Sequence, residues 1–231
     1  MKNVIIYGIK TYAPESRSEL INYSINEGKI LIALNAEKIL NSNSTIKNLI
    51  NSNIGYPDGF GVILALNKKG IRNINKIPGC ELWLDIINSY YLTKTFYLVG
   101  GTKNVLEETV KKLKIDYSGI NILNHHDGYF DEYQKKIIID DIKKLSPDII
   151  FVAMGSPRQE LFMKEIQKAH KALFLGLGGS FDVYTSKVKR APKWWIDRNL
   201  EWLFRLISQP TRIKRQILLS KFLYKLNLNK F

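Results

Sequence analysis

The sequence predicts an α/β fold, a mainly parallel sheet with helices on both faces, followed by a basic helical appendage. Three observations carry this. Short aliphatic or β-branched runs alternate with amphipathic stretches of helical length from residue 29 to residue 175. Clusters of Gly, Pro, Asn and Asp fall where those runs end, which is where strands of such sheets turn into helices and where ligands collect. After Leu177-Gly178-Gly179 the strand signals stop, and from Lys187 onward twelve Lys or Arg stand against two acids, ten of the formal +14 of the 231-residue chain.

Taken in order, residues 3–7 are a β-branched run that reads as a first strand, and a polar segment leads to a helix near 16–26. Residues 29–34 read as a buried strand ending in the polar turn Asn35-Ala36-Glu37-Lys38, with a helical stretch to about 52. Residues 53–62 contain a short strand, a sharp turn at Pro57-Asp58-Gly59 and the start of a helix through Leu66. Pro78-Gly79 opens a helix over 81–91, a strand over 95–99 ends in the turn Gly100-Gly101-Thr102, and residues 104–113 are helical. Strand 120–123, loop 124–130, helix 132–145, strand 148–153, loop 154–158, helix 159–169 and strand 172–175 continue the alternation. Two helices, about 193–208 and 211–226, complete a Rossmann-like body with its appendage. The expected division is a catalytic body over 1–186 and a membrane-associating segment over 187–231.

Composition sets the bounds: 45% hydrophobic and 24% charged residues make an ordinary globular chain, long enough to bury a core. The single Cys80 has no partner for an internal disulfide, which fits a reducing compartment, and reads as a small buried hydrophobe. The first ten residues are too short for a signal sequence, and no apolar run approaches the roughly 20 residues that span a bilayer. Membrane contact is therefore expected to be peripheral and cytoplasmic. On the last helix Lys214, Lys221 and Lys225 share one stripe beside a broad face of Leu218, Leu219, Phe222, Leu223 and Leu226. Such a helix can lie on anionic lipid or dock on its own domain, and the clustered charge favours lipid.

Candidate chemistry sits in the turns. Asp58, on a glycine-flanked turn at a strand end, can point into a cleft and take a proton from an attacking hydroxyl, although a turn or N-cap aspartate looks the same in sequence. Gly155-Ser156-Pro157-Arg158-Gln159-Glu160 opens a helix whose free N–H groups, with Arg158, suit a phosphate or diphosphate. Neither it nor Gly100-Gly101 has the spacing of a dinucleotide or Walker fingerprint. His125 and His126 read as a solvated loop, since His170 is the only other histidine and a metal site would need more ligands. Asp182 and Glu201 beside so many cations read as ion-pair partners.

Nine segments between Leu31 and Leu223 resemble, in order, the bacterial WecG/TagA/CpsF glycosyltransferases: 35–37, 58–62, 78–82, 99–101, 127–130, 155–160, 178–183, 189–193 and 200–206. The stretches 33–38, 152–157 and 208–216 are most like the WecG branch, which transfers N-acetylmannosaminuronic acid in enterobacterial common antigen synthesis. Departures are Ala33, where the TagA-like branch tends to carry Thr, and Asp127, where many members carry His. The resemblance implies inverting transfer from a UDP-sugar to GlcNAc on undecaprenyl diphosphate at the inner face of the cytoplasmic membrane, without a metal or other cofactor. It makes Asp58 the base, with Asn35 positioning substrate and Gln159 in the nucleotide-sugar pocket. Lys38, Gly101, Gly155, Arg158, Glu160, Asp182 and Arg190 complete the expected substrate contacts. Arg205, Arg212 and Arg215 are expected at the lipid diphosphate, with Lys214, Lys221 and Lys225 at the membrane. Lys38 is also the candidate for reading a carboxylate on the donor. A homo-oligomer is compatible with the family. A nucleic-acid-binding protein or a non-catalytic nucleotide-binding scaffold would explain the charge or the fold, but neither predicts the Asp58 turn together with the arginine-rich end.

Overall fold

The computed structural model describes residues 1–198, 200–208 and 213–228. It opens on a hairpin of β1 (Asn3–Ile6) and β2 (Ile9–Tyr12), with Ile6 opposite Ile9 and both turn residues, Tyr7 and Gly8, at positive φ. The sequence reading treated residues 9–12 as a polar connector, because Lys10 and Thr11 mask the alternation. Asn51 holds the hairpin in place: its Oδ1 accepts the Lys10 N–H at 2.8 Å and its Nδ2 donates to the Gly8 carbonyl at 2.9 Å.

Helix α1 (Arg17–Ser24) leads to β3 (Ile30–Leu34), α2 (Ala36–Asn41), α3 (Ser44–Asn51), β4 (Ile54–Pro57), α4 (Phe60–Lys68) and α5 (Gly79–Tyr90). The single helical stretch expected to residue 52 is two helices, because Asn43 starts a new one by accepting the Ile46 N–H at 3.0 Å. Then follow β5 (Thr95–Gly100), α6 (Lys103–Asp116), β6 (Asn121–His126), α7 (Glu132–Leu145), β7 (Ile149–Ala153), α8 (Arg158–Ala169) and β8 (Leu173–Gly176). The chain closes with α9 (Ser180–Tyr184), α10 (Lys193–Asp197), α11 (Glu201–Ser208) and α12 (Ile213–Asn227). Thus α9 is an addition to the sequence reading, and the helix expected over 193–208 is broken into α10 and α11. His125 and His126 lie on a strand rather than in a loop, paired with Leu98 and Val99, because a register shift after Phe96 lets β5 extend β6. Burial and neighbouring Lys114 lower the pKa of His125.

Strands β3 to β8 form one parallel sheet in the order β4-β3-β8-β7-β5-β6. Alternate residues feed two cores. Ile30, Ile32, Tyr97, Val99, Ile150 and Val152 pack against the hairpin, α2, α3, α4, α7, α8 and α12. Leu31, Phe96, Leu98, Ile149 and Phe151 pack against α1, α5, α6 and α9. The period-2 pattern is what a sheet covered on both faces requires. The chain leaves β3 and β7 toward the first face and β5 and β8 toward the second, so the carboxyl ends of neighbouring strands diverge and leave crevices between them.

The last helix joins the body. Phe222 is wholly buried and Leu226 nearly so, and Phe222 packs on the Tyr7 ring at 5.5 Å. Gly61 of α4 makes room: a Cβ there would lie 3.1 Å from Leu219 and 3.3 Å from Phe222. The Lys68 ammonium donates to the Leu226 carbonyl at 2.6 Å. The Leu219, Phe222, Leu223 and Leu226 face, which the clustered charge favoured placing on lipid, is instead docked on the domain. A different stripe of α12 stays exposed, Ile213, Ile217, Tyr224 and Leu228, with Lys221 on its border. Among the described residues, no helix is long and apolar enough to cross a membrane.

Candidate active site

The carboxyl ends of the strands build a site with two poles. At the first, the Leu34 carbonyl accepts the N–H groups of both Asp58 and Gly59, at 3.0 and 3.1 Å, which bends the chain sharply after β4. Gly59 is required for this approach, since a Cβ would lie 2.9 Å from the Asn35 side chain. Asp58 Oδ1 accepts the Gly79 N–H at 3.1 Å, so the carboxylate is anchored to the start of α5. Asn35 is the N-cap of α2, and its Oδ1 accepts the Lys38 N–H at 2.8 Å. Asp58 and Asn35 therefore stand side by side, half-buried, over β3 and β4.

The second pole lies over β5, β7 and β8. Gly100 has φ 128°, and a Cβ there would meet the Ala153 carbonyl oxygen at 2.2 Å, so β5 and β7 end with backbone against backbone. The Gly101 N–H donates to Ala153 and the Gly128 N–H to Gly101, both at 2.9 Å. Gly155 precedes α8 at φ 75°, and the exposed Arg158 stacks its guanidinium 5.4 Å from the Phe130 ring centre. Gln159 is buried instead: its Oε1 accepts the Gly178 N–H at 2.9 Å, which ties α8 to the turn after β8. Glu160, almost fully buried, accepts from Gln159 Nε2 at 3.2 Å and from the Lys38 ammonium at 2.5 Å. Lys38, expected to read a donor carboxylate, already faces one from the protein.

The exposed Arg158 at the start of α8 and the anchored carboxylate at the other pole suit an anionic leaving group and a hydroxyl to be deprotonated. The family model described as "Glycosyl transferase WecG/TagA/CpsF family" matches residues 4–231. The chain belongs to this glycosyltransferase family. Like any glycosyltransferase it takes a sugar donor and an acceptor.

In this WecG/TagA/CpsF transferase the remaining expected contacts lie nearby or outside the described side chains. Asp182 is half-buried on α9, close to where a Gly179 Cβ would lie. Arg190 pairs with Glu81 in the first turn of α5, two residues from the Gly79 amide that holds Asp58. Arg17 joins the same cluster through Glu81 and through Asp85 at 2.5 Å. Arg212 lies outside the described residues, and the side chains of Arg205, Lys214 and Arg215 are likewise not described. Lys225 turns back toward the body, 5.9 Å from the Tyr7 ring centre, while Lys221 is exposed. Sequence reasoning missed Tyr56, wholly buried under the first pole, and the Arg17–Glu81–Arg190 cluster. Tyr56 carries no signal beyond strand periodicity, and Glu81 was visible only as part of the Pro78-Gly79 segment.

The Glu81 cluster makes a pH prediction. Burial would raise the Glu81 carboxyl, but Arg190 and Arg17 outweigh it and hold it below its ordinary 4.5. A depressed folded value means that the contribution to stability is complete above pH 4.5 and is lost as pH falls through the lower folded value. Glu81→Gln is expected to flatten this acid limb when urea midpoints are compared from neutral pH downward. A midpoint that falls in parallel with wild type throughout would remove the cluster as a source of acid sensitivity.

Proposed function

We propose that this transferase moves N-acetylmannosaminuronic acid from its UDP-sugar, with inversion, to GlcNAc carried on undecaprenyl diphosphate, as in enterobacterial common antigen synthesis. The observation that carries the reading is the Asp58 carboxylate, anchored by the Gly79 amide beside Asn35 at the carboxyl ends of β3 and β4. In the proposed reaction Asp58 takes the proton of the acceptor hydroxyl, and that oxygen bonds to the anomeric carbon. The bond from this carbon to the UDP oxygen breaks, and UDP leaves with the electron pair. Asn35 orients the reacting sugars. The Gly100-Gly101 turn and the α8 start with Gly155, Arg158 and Gln159 take the nucleotide diphosphate. The likeness of segments 33–38, 152–157 and 208–216 to the WecG branch supports the uronate donor and the lipid acceptor.

The membrane is reached through the carboxyl-terminal helices. Trp194, Trp202 and Ile207 are exposed on α10 and α11, and Ile213, Ile217, Tyr224 and Leu228 on α12, so apolar side chains are available to enter the headgroup region. Arg205, Arg212 and Arg215 are proposed for the lipid diphosphate, and Lys214, Lys221 and Lys225 for the phosphate level of the inner leaflet.

One observation favours a second reading. Lys38 is engaged by Glu160, so a carboxylate on the donor is not needed to neutralise it. Neutral UDP-N-acetylmannosamine, the TagA-type donor, or another UDP-hexose then becomes the substrate to compare. Transfer to undecaprenyl-diphosphate GlcNAc in liposomes, with EDTA present and each donor offered separately, decides. Turnover with the uronate supports the first reading, turnover with the neutral sugar alone supports the second, and turnover with neither removes this acceptor.

A further inference from the structure

Two turns on opposite sides of β8 are joined by one buried ion pair. Lys38 projects from the first turn of α2 and Glu160 from the first turn of α8, with their side chains 9% and 1% exposed. Strand β8 lies between β3 and β7, so the pair links the turns that follow the two strands flanking β8. Gly176, at the carboxyl end of β8, leaves the space for the Gln159 side chain that donates to Glu160, since a Cβ there would lie 2.4 Å from Gln159 Nε2. Each end of the tie is bound to a residue of the site. Asn35 accepts the Lys38 amide at 2.8 Å, while Gln159 donates to Glu160 at 3.2 Å and accepts from Gly178 at 2.9 Å.

Stability alone gives little reason for the arrangement. Both charges are taken out of water, and apolar replacement of such pairs is often neutral or stabilising. Glu160 Oε2 and the Tyr56 hydroxyl are buried with no hydrogen-bond partner among the described residues, which adds to the desolvation cost. Tyr56 stays neutral beside them, its pKa pushed well above the usual value by burial and further by Asp58, Cys80 and Glu160. Unfavourable polar burial of this kind collects where geometry matters more than stability.

We infer that Lys38 and Glu160 are positioning residues, and that their ion pair sets the separation between the Asn35–Asp58 pole and the Gln159 pole. The inference rests on the reading of these poles as acceptor and donor sites. Misplacement by about 1 Å between reacting groups can lower a rate by about 10²-fold. The role needs no carboxylate on the donor and touches no reacting atom.

The test removes both charges at once, as Lys38→Met with Glu160→Leu, so that neither is left buried alone. The double variant is expected to fold with a thermal midpoint at or above that of wild type. Its kcat for UDP release should fall by about 30-fold or more while donor KM stays within about threefold. Lys38→Arg, which can still reach Glu160, is expected to recover most of the rate. Hydrogen exchange reads the tie without substrate: the Lys38 and Gly178 amides should exchange about tenfold faster in the double variant. A kcat within about threefold of wild type, a loss confined to KM, an unfolded double variant or unchanged exchange at both amides would each overturn the inference. A wild type inactive with every donor offered would instead count against the substrate assignment, and exchange would still decide the tie.

Discussion

Asp58→Asn is expected to lower kcat by about 10²–10⁴-fold with donor KM little changed, the usual contribution of a positioned general base. The substitution isolates the proton transfer. The asparagine side-chain oxygen can still accept the Gly79 N–H that Asp58 accepts at 3.1 Å, and asparagine caps helices as well as aspartate does. The turn itself is held by two N–H groups on the Leu34 carbonyl, which the change does not touch. The variant should therefore match wild type in thermal midpoint and in UDP binding. Single-turnover measurements on lipid-linked acceptor separate the chemical step from binding and release. A kcat within a few fold of wild type would leave Asp58 as a helix cap and move the base elsewhere.

Phe222→Ala carries the second large effect, on docking rather than chemistry. Its ring is fully buried between Tyr7 and the Gly61 face of α4, and truncation of such a phenylalanine costs about 3–5 kcal/mol. Because α12 packs outside the parallel sheet, the loss should fall on its docking equilibrium more than on the sheet. Amide exchange over residues 213–227 is expected to accelerate by about 10²-fold or more, with β3, β7 and β8 unchanged. Activity on liposome-bound acceptor should fall with it. Exchange in α12 equal to that of wild type would show that the helix is held by other contacts.

The turns of the candidate site were legible in sequence where the chain makes them locally. Pro57-Asp58-Gly59 and Gly155 to Glu160 announce themselves because a sharp turn needs those residue types within a few positions. The strand alternation was legible for the same reason, since each core run reports its own burial. Contacts made across the fold left no local trace. Lys38 and Glu160 are 122 residues apart, and a lysine after an N-cap asparagine looks like a solvated residue until the sheet order brings α8 beside α2. The hairpin was hidden because Lys10 and Thr11 are polar where Asn51, far along the chain, supplies the partners. On α12 the wheel showed the docking face but not its destination, which depends on Gly61 having no side chain. The exposed stripe of Ile213, Ile217, Tyr224 and Leu228 was overlooked because the leucine-rich side dominates the pattern.

The docking of α12 also bears on how the protein is made. Strand β3, the second element from one edge of the sheet, pairs at residues 30–31 with residues 174–175 of β8. The apolar surfaces of α2 and α4 are covered by a helix that begins only at residue 213. Contacts of such long sequence separation form late and slow folding. A nascent chain in which β8 has left the ribosome can complete its sheet, yet it still exposes the surface around Gly61 to aggregation or chaperone capture. The apolar face around Gly61 is thus closed only when residues 213–227 have emerged.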